Sequence, residues 1–193
     1  MMTIKCLVQE QLRLQYEVIS DTSLVNFLTK EDLRLNIYLA LIDQTIWSEA
    51  KKVDIVTAII LLQQSLDLHQ LVSNEPDANN TEIILHGDRF SAQYYLLLSN
   101  YGENELIRSL ALATRTINQL LIKYSEQKQA NLNIDDNLRL EIDTTIMVHL
   151  LRYFNLAQLE IYLAVESPIL QIETELVDLA NLINDFFKHR MIV

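Results

Sequence analysis

Apolar positions recur at helical spacing along most of the chain, and clusters of Ser, Thr, Asn, Asp and Glu interrupt them at only a few places, near residues 20–23, 29–32, 73–80, 101–104, 127–137 and 166–168. The intervening segments predict seven helices at about 5–19, 31–47, 49–72, 80–100, 103–127, 137–165 and 169–189. The third of these carries Ile55, Ile59, Leu62, Leu66 and His69 on one stripe and Val56, Ile60 and Leu71 on a second. A helix apolar on more than one face belongs at the centre of a bundle, covered by neighbours. No internal repeat or low-complexity segment breaks the pattern.

Composition sharpens this picture. Two glycines and two prolines in 193 residues leave almost no breaker chemistry, so long helices joined by short polar connections are expected: an all-α, single-domain helical bundle over 1–193. Half the residues are hydrophobic, enough for a sizeable core. A net charge of −11, from 15 basic against 26 acidic residues, disfavours nucleic acid and anionic lipid as partners. The start, Met1 to Gln9, lacks a secretory apolar region, and the longest apolar runs, Ala58 to Leu62 and Tyr94 to Leu98, fall far short of a membrane span. A cytoplasmic protein with no direct membrane insertion is expected. Cys6 stands alone, which excludes an internal disulfide and a cysteine-built zinc site. The Asn79-Asn80-Thr81 sequon reads as a polar turn before a helix.

Candidate chemistry is sparse. No Glu-x-x-His or His-x-x-x-His spacing, glycine-rich phosphate loop or nucleophile elbow occurs. Asp67 and His69 lie two residues apart, as do His86 and Asp88, and such pairs point to nearly opposite sides of a helix. An independent enzyme using all four around a cleft is one rival reading; an unrelated acidic helical adaptor is another. His69 is expected to be a hydrogen-bonded histidine on a buried stripe. Gly87 is the conspicuous residue, because a glycine inside a helix costs roughly 1 kcal/mol relative to Ala and normally answers a close approach. It opens a face running from small to large: Gly87, Ser91, Tyr94, Leu98, Tyr101. That face either packs within the chain or docks a partner helix, and periodicity leaves both readings open. Arg108, Arg115 and Lys123 read as solvated cations.

The stretch from Ile84-Leu85-His86-Gly87-Asp88 to Leu98, preceded by Leu68-His69, resembles the Gly-Asp helix of the all-helical trans-prenyl diphosphate synthases. Its Tyr94-Tyr95 run resembles the small, non-catalytic subunit of the two-component hexaprenyl and heptaprenyl synthases, and the likeness is carried by about residues 50–123. Full-length synthases end the preceding helix in Leu-His-Asp-Asp-x-x-Asp, whose aspartates hold magnesium against an allylic diphosphate. Here the register is Leu68-His69-Gln70-Leu71-Val72-Ser73-Asn74. Gln, Leu and Asn cannot supply the anionic oxygens that magnesium requires. The connection from Ser73 to Asn80 contains no Lys or Arg to grip isopentenyl diphosphate. Asp135-Asp136-Asn137-Leu138-Arg139 stands nearest to the second aspartate motif and reads as an acidic helix start.

The resemblance implies a truncated isoprenoid synthase-like fold and an accessory role in a heterodimer. The partner would be an aspartate-rich catalytic prenyl synthase subunit carrying the magnesium, with no catalytic, metal or cofactor residue on this chain. The complex would elongate farnesyl diphosphate with isopentenyl diphosphate to heptaprenyl or hexaprenyl diphosphate for the menaquinone side chain. His69, Gly87, Asp88, Ser91, Tyr94, Leu98 and Tyr101 are the expected partner contacts.

Overall fold

Helix starts follow the local capping chemistry. Thr3 Oγ1 accepts the Cys6 amide at 3.3 Å and opens α1 (Ile4–Tyr16). Asp21 Oδ1 accepts the amides of Ser23 at 2.8 Å and Leu24 at 3.4 Å, which opens α2 (Thr22–Thr29). A bond from the Ser23 hydroxyl, with these amide bonds behind it, holds the Asp21 carboxyl below its ordinary pKa. Ser48 accepts the Lys51 amide at the head of α4 (Glu49–Leu71), which follows α3 (Leu33–Asp43). Then come α5 (Ala78–Ser99), α6 (Asn104–Gln129), α7 (Asp136–Tyr153) and α8 (Val177–Met191). The computed structural model describes residues 2–29, 33–72, 78–130, 136–157, 159 and 177–191. Every regular element among them is helical, so the protein is all-α.

The chain groups into two compact units, Met1–Asn104 and Glu105–Val193. In the first, α4 is the hub, packing most extensively on α5 and also on α1 and α3. Each residue from Ile55 to Leu66 is buried, including Thr57, Gln63, Gln64 and Ser65, as its two apolar stripes require. In the second unit α6 buries Leu106, Leu110, Ala113 and Ile117, one face at helical spacing. Ser109 Oγ on α6 donates to the His149 carbonyl on α7 at 3.3 Å, and Arg139 reaches the Tyr124 hydroxyl at 3.0 Å. Helix α8 buries Leu179, Ala180, Ile183 and Phe186.

Three expectations need correction. Helix α2 lies entirely between the expected helices at 5–19 and 31–47, where none was predicted; it is short and buries only Leu24 and Leu28. Helix α7 stops at Tyr153 and does not run to 165, because Asn155 adopts a left-handed conformation (φ 59°) and Leu156 N donates to Leu151 O at 2.7 Å. This six-to-one bond with a left-handed residue is a Schellman stop. The end of α4 is less buried than its stripes suggested, since Leu71 is exposed and His69 lies at the edge. The expected start of the last helix, near 169, lies outside the described residues.

Candidate functional site at the α4 and α5 seam

The glycine on α5 makes room for a histidine on α4. A Cβ placed on Gly87 would sit 2.9 Å from both Cε1 and Nε2 of His69 and 3.3 Å from its Cδ2. The imidazole lies across the glycine, and its Nε2 comes within 3.4 Å of Asp88 Oδ1. The His69 side chain is 38% exposed and that of Asp88 67%, so the pair faces solvent at the end of the seam. Below it, Phe90, Tyr94 and Leu98 carry the α5 face into the core. Tyr16 of α1 meets Phe90 with ring centroids 6.2 Å apart. Burial, reinforced by the neighbouring Tyr95 hydroxyl, pushes the Tyr94 hydroxyl well above its ordinary pKa; the two rings lie 4.1 Å apart.

At the far end of this face, the Tyr101 hydroxyl donates to Asp54 Oδ2 at 2.5 Å, and Gln11 donates to the other carboxylate oxygen at 2.8 Å. The Asp54 bond raises the Tyr101 pKa to about 12, because losing the proton would set two negative groups together. The Lys51 ammonium lies over the Trp47 ring at 4.4 Å and pairs with Glu103. Gly102, in the left-handed region at φ 63°, then turns the chain into α6.

The face from Gly87 to Tyr101 is therefore occupied from within the chain. Gly87, Tyr94 and Leu98 are buried, Ser91 is half-buried, and Tyr101 is tied to α4. Asp88 and His69 are the members of the expected docking set that reach solvent. The outward face of α5 holds what periodicity did not single out. Ile84, Leu85, Tyr95 and Leu96 are all exposed, on the arc that also carries Asp88, Ala92 and Ser99. Ile84 with Tyr95 and Leu85 with Leu96 stand eleven residues apart, about three helical turns, which is the signal that could have found them.

Of the four groups of the rival enzyme reading, His69 and Asp88 meet each other across the seam, and the other two are engaged elsewhere. Asp67 accepts from Arg34 at 2.8 Å and from Gln63 at 3.1 Å, while His86 Nε2 lies 3.4 Å from Glu82 Oε1. Glu82 also accepts from the Ser20 hydroxyl at 2.9 Å, the leading cause of its lowered pKa. Among the described residues no three His, Cys, Asp or Glu side chains gather as a metal site. Gln70, at the first aspartate position of the synthase register, turns back to donate to Leu66 O at 3.3 Å. Ser73, Asn74 and Asp135 lie outside the described residues, as does the side chain of Asp136. No described helix is long and apolar enough to cross a membrane.

Over 83 residues the chain is 37% identical to heptaprenyl diphosphate synthase component 1 of Geobacillus stearothermophilus, a match that covers 42% of this chain and 37% of the relative. No solved structure matches. The family model described as heptaprenyl diphosphate synthase (HEPPP synthase) subunit 1 matches residues 9–175. The chain belongs to the heptaprenyl diphosphate synthase subunit 1 family.

Proposed function

We propose that this chain is the non-catalytic subunit of a two-component heptaprenyl diphosphate synthase. It works beside an aspartate-rich partner that holds magnesium and elongates farnesyl diphosphate with isopentenyl diphosphate for the menaquinone side chain. The observation that carries the reading is the end of α4, where Gln70 and Leu71 stand in place of the aspartates and Asp67 is bound to Arg34. A diphosphate brought there would meet no carboxylate at positions 70 and 71, with Asp67 held by Arg34 and Asp88 facing His69. Membership of a family described as subunit 1 supports a division of labour with a second component.

The partner seats on the outward face of α5. Leu85, Tyr95 and Leu96 form an apolar strip beside Asp88, and such aromatic and aliphatic anchors are what a subunit interface buries at its centre. The purified chain, supplied with magnesium, farnesyl diphosphate and isopentenyl diphosphate, elongates nothing; adding the partner restores elongation. Leu85→Glu with Leu96→Glu weakens assembly at least about tenfold while helicity is kept. Elongation by the single chain would overturn the reading, and normal assembly of the double variant would move the interface elsewhere.

A further inference from the structure

On the other side of α4, helices α1, α2, α3 and α4 leave a cavity of about 350 Å³ between them. That is at the small end of the roughly 300–1,000 Å³ typical of small-molecule sites. Leu12, Leu28, Leu35 and Ile60 line it with apolar surface. The buried polar groups of the lining satisfy one another: the Gln64 amide donates to the Tyr16 hydroxyl at 2.7 Å and to the Leu28 carbonyl at 3.1 Å. The two cations of the lining differ. Arg13 is answered by Glu10 at 2.7 Å and Glu17 at 2.6 Å. Lys5, half-buried, meets only the neutral Asn36 Oδ1, at 3.0 Å, and no described carboxylate pairs with it. The Lys5 ammonium thus stands at the mouth of an apolar hollow with a neutral amide as its described partner.

We propose that this cavity binds a single-tailed amphiphile with a monoanionic carboxylate head, the tail against Leu12, Leu28, Leu35 and Ile60 and the head on the Lys5 ammonium. The tail gains the transfer energy of its methylenes, and the head the Lys5 ammonium, which no described carboxylate answers. A diphosphate head is disfavoured, because it carries more negative charge than one ammonium answers in a chain of net −11. This inference is independent of the partner reading.

Calorimetric titration of the full chain with octanoate, decanoate, decanol and geranyl diphosphate tests it. Decanoate binds about 15-fold tighter than octanoate, at roughly fourfold per methylene, and at least fivefold tighter than decanol. Lys5→Met erases the difference between decanoate and decanol and leaves decanol unchanged. Leu35→Trp fills the hollow and abolishes binding of both; if that variant does not fold, Thr29→Trp at the exposed rim serves the same purpose. Absence of decanoate binding overturns the proposal, as does decanol binding equally well. Decanoate affinity unchanged by the filling variant places the amphiphile elsewhere and also overturns it. Geranyl diphosphate binding tighter than decanoate overturns the monoanion assignment.

Discussion

Replacing Gly87 separates a glycine needed for its backbone from one needed for space. Gly87→Ala puts a methyl 2.9 Å from two atoms of the His69 ring, too close for the ring to stay. The obstacle is the far end of a side chain that is 38% exposed, so a rotamer change can carry it into solvent. What is lost is the His69–Asp88 contact at 3.4 Å, an exposed pair worth about 0–1 kcal/mol. What is gained is helix propensity, about 0.8–1 kcal/mol for Ala over Gly. The two nearly cancel, and Gly87→Ala should lie within about 1 kcal/mol of the parent. In a His69→Ala background nothing opposes the methyl, and the same substitution should stabilise by about 1 kcal/mol. Gly87→Leu is different, because its branched end must enter a buried position and overpacking costs about 1–3 kcal/mol. Denaturant unfolding followed by the fluorescence of Trp47, the single tryptophan and a member of the first unit, reads these differences directly. A loss above about 2 kcal/mol for Gly87→Ala in both backgrounds would refute the reasoning, since the glycine would then be answering backbone and not the imidazole. Partner affinity measured alongside should follow stability for Gly87→Leu; an intact fold that fails to assemble would return Gly87 to the interface.

Two other perturbations probe local devices. The Tyr101–Asp54 bond raises the tyrosine pKa from 10.0 to about 12, so its contribution is fully present below pH 10 and lost as pH rises through 12. The stability gap between parent and Tyr101→Phe, measured by denaturant midpoint, should be constant from neutral pH to about 10 and close above it; a gap that widens in alkali would refute this. Asn155→Ala should lower stability by about 1–2 kcal/mol, the cost of a left-handed backbone for a residue with an ordinary Cβ, and Asn155→Gly should be neutral or better. Equal thermal midpoints for the Ala and Gly variants would show that the Schellman stop carries no weight.

Helix α4 was legible because both of its faces are apolar, and all-round burial is the only stable home for such a helix. The replacements at Gln70 and Leu71 are plain in the sequence, since neither side chain supplies an anionic oxygen. Helix α2 escaped because eight residues with two buried leucines are too few to display a period. The end of α7 escaped because Asn155 signals a stop only once its left-handed conformation is known. Gly87 announced a close approach without naming the neighbour; choosing between a backbone and the His69 ring requires the relative register of two helices. Helix α5 is apolar on opposite sides, with Phe90, Tyr94 and Leu98 inward and Leu85, Tyr95 and Leu96 outward. Its periodicity therefore could not say which stripe the chain itself would cover.

The pairs at the end of the seam bear on whether its carboxylates could serve a metal. Asp67, one turn before Gln70, is the carboxylate of α4 best placed to serve a metal at that end, yet it binds a guanidinium that is only 8% exposed. Recruiting Asp67 would strip that charge partner, and breaking a buried pair commonly costs about 3–5 kcal/mol. Asp88, on α5, is exposed but faces the His69 ring, which would have to move before a cation could approach. Restoring aspartates at 70 and 71 alone would add charge to a helix end whose existing carboxylates are already engaged. Beside it, the exposed strip of α5 carries Leu85, Tyr95 and Leu96, apolar and aromatic groups that offer a diphosphate no charge to pair with.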